Sequence, residues 1–317
     1  MAIYLTESEV KSLLTMDLAL DALDEVFKAR AAGKVANLPR TRLPIGRGSY
    51  NLMAASWPER GIVGDKSYAA GGGAASFHVM LYGTNGEGLL AVIEANRMGQ
   101  VRTGAASGIG TRYMARNDAS TVAIIGSGYQ AETQLEAVAS VRNISEARVF
   151  SRTPERRNSF ADRMSERLSI EVLPAESAEA AVSGADVICT ITNAVEPVLT
   201  GEMLDPGVHI NAAGGNSWQR RELDTHAVAV SDIVATDDIQ QAKSECGELM
   251  RAADSGYFFW DRLLSLDQVV AGLRSGRDSF AQVTLFESQG IALEDLAVCH
   301  RLFLLAQEQG IGTPLPG

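Results

Sequence analysis

Basic residues are few and scattered in this chain: 28 lysines and arginines face 39 aspartates and glutamates, for a formal net charge of −11 at pH 7. Nucleic acid and anionic membrane surfaces are held by clustered Lys and Arg, so neither is expected as a partner, and any anionic ligand has to be captured by a few placed cations. Cysteine is scarcer still. The three thiols, Cys189, Cys246 and Cys299, lack C-x-x-C spacing, which argues against a disulfide framework or a thiolate zinc motif and leaves buried free thiols in a reducing compartment. The four histidines (His78, His209, His226, His300) include no H-x-x-x-H pair, so no metal is expected. Long apolar runs are missing too, and the N-terminal "MAIYLTESEV" carries acid where a signal peptide carries base. A cytoplasmic protein is expected.

What is present suffices for two cores, since 46% of the 317 residues are hydrophobic. Thr6 and Glu9 in "LTESEV" have capping-box spacing, and the following "DLALDALDEVFKAR" puts Leu20, Leu23 and Phe27 on one helical face. From about residue 37 to 95 the texture changes to short apolar or alternating runs, and Asn85-Gly86 in "GTNGE" is a hairpin signal, so a small, mostly antiparallel sheet is predicted. The small residues of "MGQVRTGAASGIGTRYMARND" predict a helix packed closely against a neighbour.

From "TVAIIG" to "DIVATD", strands alternate with helices, the pattern of a doubly wound parallel sheet. The last helix, "ALEDLAVCHRLFLLAQEQG", offers Leu296, Leu302, Leu304 and Leu305 as an apolar face and is expected to pack back on the N-terminal part. The fold class is therefore α/β: a Rossmann domain, residues 116–291, inserted in an α+β domain made of residues 1–115 and 292–317.

Gly126, Gly128 and Ala131 form G-x-G-x-x-A between an apolar strand and a helix. The first glycine permits the tight turn, the second lets backbone approach a pyrophosphate, and the small third residue lets helix and strand pack. Ser127, Tyr129 and Gln130 complete this turn. The next strand ends in Ser151, Arg152 and Thr153, where an NAD site usually carries an acid for the ribose hydroxyl. NADP(H) is therefore favoured over NAD(H). Thr190 and Thr192 end a further strand at the sheet's carboxyl edge and are expected at the nicotinamide, with Thr103 also assigned to the cofactor. Outside this region Arg40 lies between prolines, while Lys66 and Arg102 sit among apolar or small residues, where an unpaired charge is costly.

The segments "VRTGAASGIGTRYMA", "VAIIGSGYQA", "ADVICTITNAVEPVL", "NAAGGN…RREL" and "TLFESQGIALEDLA", in this order and spacing, resemble the ornithine cyclodeaminase/mu-crystallin family over nearly the whole chain. The resemblance implies a homodimer, with the terminal parts forming the substrate-binding and dimerisation domain. It also implies that Arg40 (or its neighbour Arg42), Lys66 and Arg102 hold the carboxylate of an α-amino or α-imino acid. Cyclodeaminases of the family use an Asp in the loop matching "AGGNSW", where this chain has Asn216. An amide orients a substrate nitrogen but does not exchange a proton as a carboxylate does. The expected activity is thus NAD(P)H-dependent reduction of cyclic α-imino acids, with Lys66 and Asn216 as the catalytic candidates. The alternatives, in order, are an open-chain amino-acid dehydrogenase or imine reductase resembling alanine dehydrogenase, an ornithine cyclodeaminase, and a non-catalytic mu-crystallin-like ligand-binding protein. Glu294 and Asp295 are read as acids that favour a helix N-terminus.

Overall fold

A computed structural model describes residues 1–71 and 76–316. The chain forms two compact units, Met1–Arg102 with Ile291–Gly317, and Thr103–Gly290. The first begins with β1 (Ile3–Leu5), α1 (Glu7–Leu13), α2 (Met16–Ala31), β2 (Ala36–Pro44), β3 (Ser49–Trp57), β4 (Ile62–Ala70), β5 (His78–Gly83) and β6 (Gly88–Glu94). Helix α3 (Asn96–Met114) carries the chain across the boundary. The second unit contains β7 (Thr121–Ile125), α4 (Ala131–Val141), β8 (Glu146–Phe150), α5 (Pro154–Leu168), β9 (Glu171–Pro174), α6 (Ala178–Val182), β10 (Val187–Thr190) and β11 (His209–Ala212). It continues through α7 (Thr225–Val230), β12 (Ile233–Thr236), α8 (Ile239–Glu245), α9 (Gly247–Asp254), β13 (Leu264–Ser265), α10 (Leu266–Val270) and β14 (Thr284–Glu287). Helix α11 (Ala292–Gln309) and β15 (Thr313–Pro314) return to the first unit.

In the first unit the sheet order is β15-β1-β6-β5-β4-β3-β2, antiparallel except where β1 runs parallel to β6. Period-two alternation turns Asn51, Met53, Ala55 and Trp57 of β3 inward, together with Val79 and Leu81 of β5. The capping box at Thr6 and Glu9 starts α1, and Leu20, Leu23, Val26 and Phe27 of α2 are buried. Helix α11 packs on α2 and across β2 to β5. Its inward stripe is Leu296, Cys299, Phe303 and Ala306, with Leu302 beside it, whereas Leu304 is 44% exposed. The expected face was misplaced there because residue 304 lies about 80° around the helix from residue 296.

In the second unit all eight strands are parallel, in the order β13-β12-β14-β11-β10-β7-β8-β9. Strands β10, β11 and β14 are buried along their whole length, as expected where helices cover both faces. β14, "TLFE", inserts between β11 and β12, although its four residues carry no strand signal that distinguishes them from the helical text that follows. The chain reverses direction across the sheet between β7 and β10, and the crevice outside such a switch point is where ligands of open α/β sheets bind. His209 is a core residue: it bonds Thr284 and Asn211, and burial pushes its pKa down to about 3. Among the described residues no helix is long and apolar enough to cross a membrane.

Candidate active site

In the first unit, alternation along β4 turns Ile62, Gly64 and Lys66 inward. Lys66 is 4% exposed and lies against the start of α3, where a Cβ on Gly99 would sit 3.2 Å from its Nζ. A buried ammonium needs partners. Lys66 Nζ donates to Asp295 Oδ1 at 2.9 Å, and Arg102 Nε donates to the same oxygen at 2.9 Å. Arg102 Nη1 donates to Glu294 Oε2, also at 2.9 Å. Burial pulls the Lys66 pKa below its ordinary value; Asp295 opposes that, while Arg102 and Arg40 add to it. Burial also works to raise the Asp295 carboxyl, but Arg102 and Lys66 outweigh it and hold the group below the usual carboxylate range. Asp295 Oδ2 has no hydrogen-bond partner among the described residues.

The structure thus brings together Arg40, Lys66 and Arg102. Arg40 is half-buried and close enough to act on Lys66, whereas Arg42 is exposed. Glu294 and Asp295 do more than favour a helix end, since both are fully buried ion-pair partners. Their role could not be read from spacing, because 229 residues separate Lys66 from Asp295. Lys66 and Arg102 thus share one acceptor, Asp295 Oδ1, with Glu294 on the second side of Arg102 and a third cation, Arg40, within range.

In the second unit, the G-x-G-x-x-A turn lies at the switch point. Gly126 has φ +116°, and a Cβ there would lie 2.6 Å from Ile191 O. Nothing lies within 4 Å of where a Gly128 Cβ would be, so the space above it is open. Helix α4 begins after Gln130 with no side-chain cap, and its N-terminus, the end of a helix that favours an anion, follows the glycine turn directly. A close α3–α4 approach, with a Gly104 Cβ only 2.3 Å from Thr133 O, sets the helix in place, and Thr103 O accepts from Gln134 Nε2. These residues fit a dinucleotide's pyrophosphate. Ser127 Oγ bonds Ser151 Oγ at 2.8 Å, joining the turn to the end of β8, where Arg152 and Thr153 are exposed, as is Tyr129.

Thr190, expected at the nicotinamide, is fully buried, and its hydroxyl donates to Glu222 Oε2 at 2.9 Å. Glu222 also accepts the N–H of Thr192 and, at 2.8 Å, that of Gly214. Asn216 is exposed in the loop after β11. Burial pushes the Glu222 carboxyl up to about 7 against these hydrogen bonds, with Glu248 adding to the rise. Glu222 was missed in the sequence, where it appears as one more charge in "RREL". Cys246, Glu248 and Glu287 place ligand-type atoms within 4.8 Å of one another. Burial raises both of these carboxyls, which favours protons as their charge compensation.

The sequence pattern of the ornithine cyclodeaminase/mu-crystallin family matches residues 2–308. The chain belongs to this family. It is 33% identical to an alanine dehydrogenase of Archaeoglobus fulgidus over 99% of this chain and 98% of that one. The fold superposes on Thermococcus litoralis Δ1-pyrroline-2-carboxylate reductase, solved with NADH and L-proline, with a TM-score of 0.95, 30% identity and coverage of 99% of this chain and 100% of that one. An archaeal alanine dehydrogenase dimer with bound NAD gives a TM-score of 0.93 at 31% identity, covering 99% of each chain. The family member described here is an NAD(P)-dependent oxidoreductase acting on CH–NH or CH–NH2 groups.

Proposed function

We propose that the protein is an NAD(P)H-dependent reductase of cyclic α-imino acids, of the Δ1-pyrroline-2-carboxylate or Δ1-piperideine-2-carboxylate type, giving the L-amino acid. The observation that carries this reading is the buried Lys66–Asp295–Arg102 arrangement with Arg40 in range, a carboxylate receptor in a chain whose strand-end loop holds Asn216 in place of an acid. Arg40, Lys66 and Arg102 hold the substrate carboxylate and fix the orientation of the C=N bond, which supplies much of the rate. Lys66, or a water held by it, supports protonation of the imine nitrogen, and Asn216 orients that nitrogen by hydrogen bonding. Bound reduced nicotinamide supplies the hydride that goes to the imine carbon. The Thermococcus enzyme, solved with NADH and L-proline, supports this substrate class.

NADP(H) is favoured because the end of β8 carries Ser151, Arg152 and Thr153 in place of an acid, with Arg152 exposed to meet a 2′-phosphate. The protein acts as a homodimer. The edge of its first sheet exposes Leu38 at 65%, Leu43 at 57% and Leu52 at 43%, an apolar face suited to a second copy, and the archaeal alanine dehydrogenase was solved as a dimer.

The test is steady-state turnover of Δ1-pyrroline-2-carboxylate and Δ1-piperideine-2-carboxylate with NADPH and with NADH. Absence of turnover with both imines rejects the cyclic substrate. The identity to alanine dehydrogenase along almost the full chain favours an open-chain reading second. Oxidation of NAD(P)H by pyruvate with ammonia or methylamine, and not by the cyclic imines, would establish it.

A further inference from the structure

We infer that Glu222 is a positioning residue of the second unit's candidate site, its carboxylate tying the loop that carries Asn216 to the end of β10. The inference rests on the reading of that loop as part of the active site. Two ties anchor the root of the loop. Ala213 N–H donates to Thr190 O at 2.9 Å, which continues the ladder between β10 and β11. The next amide, Gly214 N–H, has turned away from the ladder and donates to Glu222 Oε2. A side chain at 214 is excluded by the same geometry, since a Cβ would lie 2.4 Å from Thr192 O and 2.5 Å from Glu222 Oε2. Gly215 lies beside Glu248, whose Oε1 accepts the N–H of Glu222. The first residues of "GGNSW" are therefore seated on Glu222 and Glu248.

Three donors converge on the Glu222 carboxylate: Thr192 N–H on Oε1, and Thr190 Oγ and Gly214 N–H on Oε2. An ionised carboxylate accepts all three, whereas a carboxylic acid or an amide presents a donor on one side. A proton on Oε2 is accommodated if the Thr190 hydroxyl rotates to accept it, and Gly214 N–H is then left on a neutral hydroxyl oxygen, a weaker acceptor than a carboxylate oxygen. The loop anchor is thus strongest in the ionised form. The titratable groups around Glu222 are Glu248 on α9, Glu287 on β14 and Cys189 on β10, with Cys246 behind Glu248 against Glu287; all are acids or thiols. Burial and these neighbours place the change between the two forms near pH 7.

The chain has three tryptophans, and Trp57→Phe with Trp260→Phe leaves Trp218 as a reporter four residues beyond Gly214, 56% exposed. Acrylamide quenching of Trp218 is followed from about pH 5 to about pH 9, spanning the carboxyl range, in this background and with Glu222→Gln added. The expected result is a rise in quenching as pH falls through neutrality, with Glu222→Gln held at the acid-side value throughout and Glu222→Asp, which keeps the charge, regaining a transition. In turnover, kcat/KM of the parent falls about tenfold on the acid side, as loss of one hydrogen bond to a charged group gives. Glu222→Gln is flat at that level, with KM for the nicotinamide cofactor unchanged. A parent without a Trp218 transition, or a Glu222→Gln protein that keeps it, overturns the inference. Because the fluorescence needs no substrate, a Trp218 transition without turnover of any imine counts against the proposed reaction and not against the anchor.

Discussion

Replacing Asp295 by alanine removes the acceptor that two buried cations share. Its Oδ1 takes hydrogen bonds from Lys66 Nζ and Arg102 Nε, both at 2.9 Å, and the side chain is 1% exposed, so solvent offers little replacement. Two hydrogen bonds to a charged group are worth about 1.5–3 kcal/mol each, and breaking a buried ion pair by deleting one partner costs about 3–5 kcal/mol. Both routes point to a loss of about 4 kcal/mol. Asp295→Asn keeps the shape and one acceptor oxygen without the charge, and about half of that loss is expected. Urea unfolding reports it, followed by Trp57, which is buried on β3 in the same unit, in a Trp218→Phe, Trp260→Phe background. The sign with pH also follows. The Asp295 carboxyl is held below its ordinary value, so its stabilisation is complete above the unfolded carboxyl pKa of about 4 and is lost as pH falls through the lower folded value. The gap between wild type and Asp295→Ala is thus constant from about pH 5 to 8 and narrows in acid. A loss under about 1 kcal/mol at neutral pH, the level of an exposed pair, would refute the reasoning, because Lys66 and Arg102 would then be stable as charges without Asp295.

Gly104→Ala puts a Cβ 2.3 Å from Thr133 O, and separating α3 from α4 is expected to cost about 1–3 kcal/mol, or more because the obstacle is backbone; an unchanged thermal midpoint contradicts it. Arg152→Ala is expected to raise KM for NADPH about tenfold and leave NADH almost unaffected, as loss of a charge-assisted phosphate contact does. Equal effects on both cofactors would mark Arg152 as a solvated charge. The Glu222 carboxyl is raised from 4.5 to about 7, so the folded state holds a proton that the unfolded chain releases across that window. Its contribution is complete below the unfolded value and lost as pH rises through about 7, about 3 kcal/mol in all. Glu222→Gln should remove that part of the slope of the urea midpoint with pH, and an unchanged slope would reject the assignment.

The same residue illustrates a conflict between stability and use. Ionised Glu222 makes every hydrogen bond in its reach, yet burial makes that form the costly one. Asp295 of α11 acts in the opposite sense, since Lys66 and Arg102 make its ionised form the stable one despite complete burial.

Much of the architecture follows from local text. The capping box at Thr6 and Glu9, the alternation of β3 to β6, and the strand–turn–helix around Gly126 and Gly128 depend on neighbours within a few residues, and local rules read them directly. The same holds for Lys66 and Arg102, which lie in apolar or small-residue text, whereas Arg40 entered through the family resemblance. The return of α11 to the N-terminal part was legible from its apolar face, but the side chains that pair with distant partners were not. The sequence by itself determined that Lys66 and Arg102 sit where an unpaired charge is costly and that the loop after β11 lacks an acid at Asn216. Only the tertiary structure decided that Glu294 and Asp295 neutralise those cations across 192 and 229 residues, that β14 completes the sheet, and that Glu222 holds the Asn216 loop. The physical reason is that the burial of a charge can be foreseen from the residues around it, whereas the group that compensates it is chosen by the packing of the whole chain.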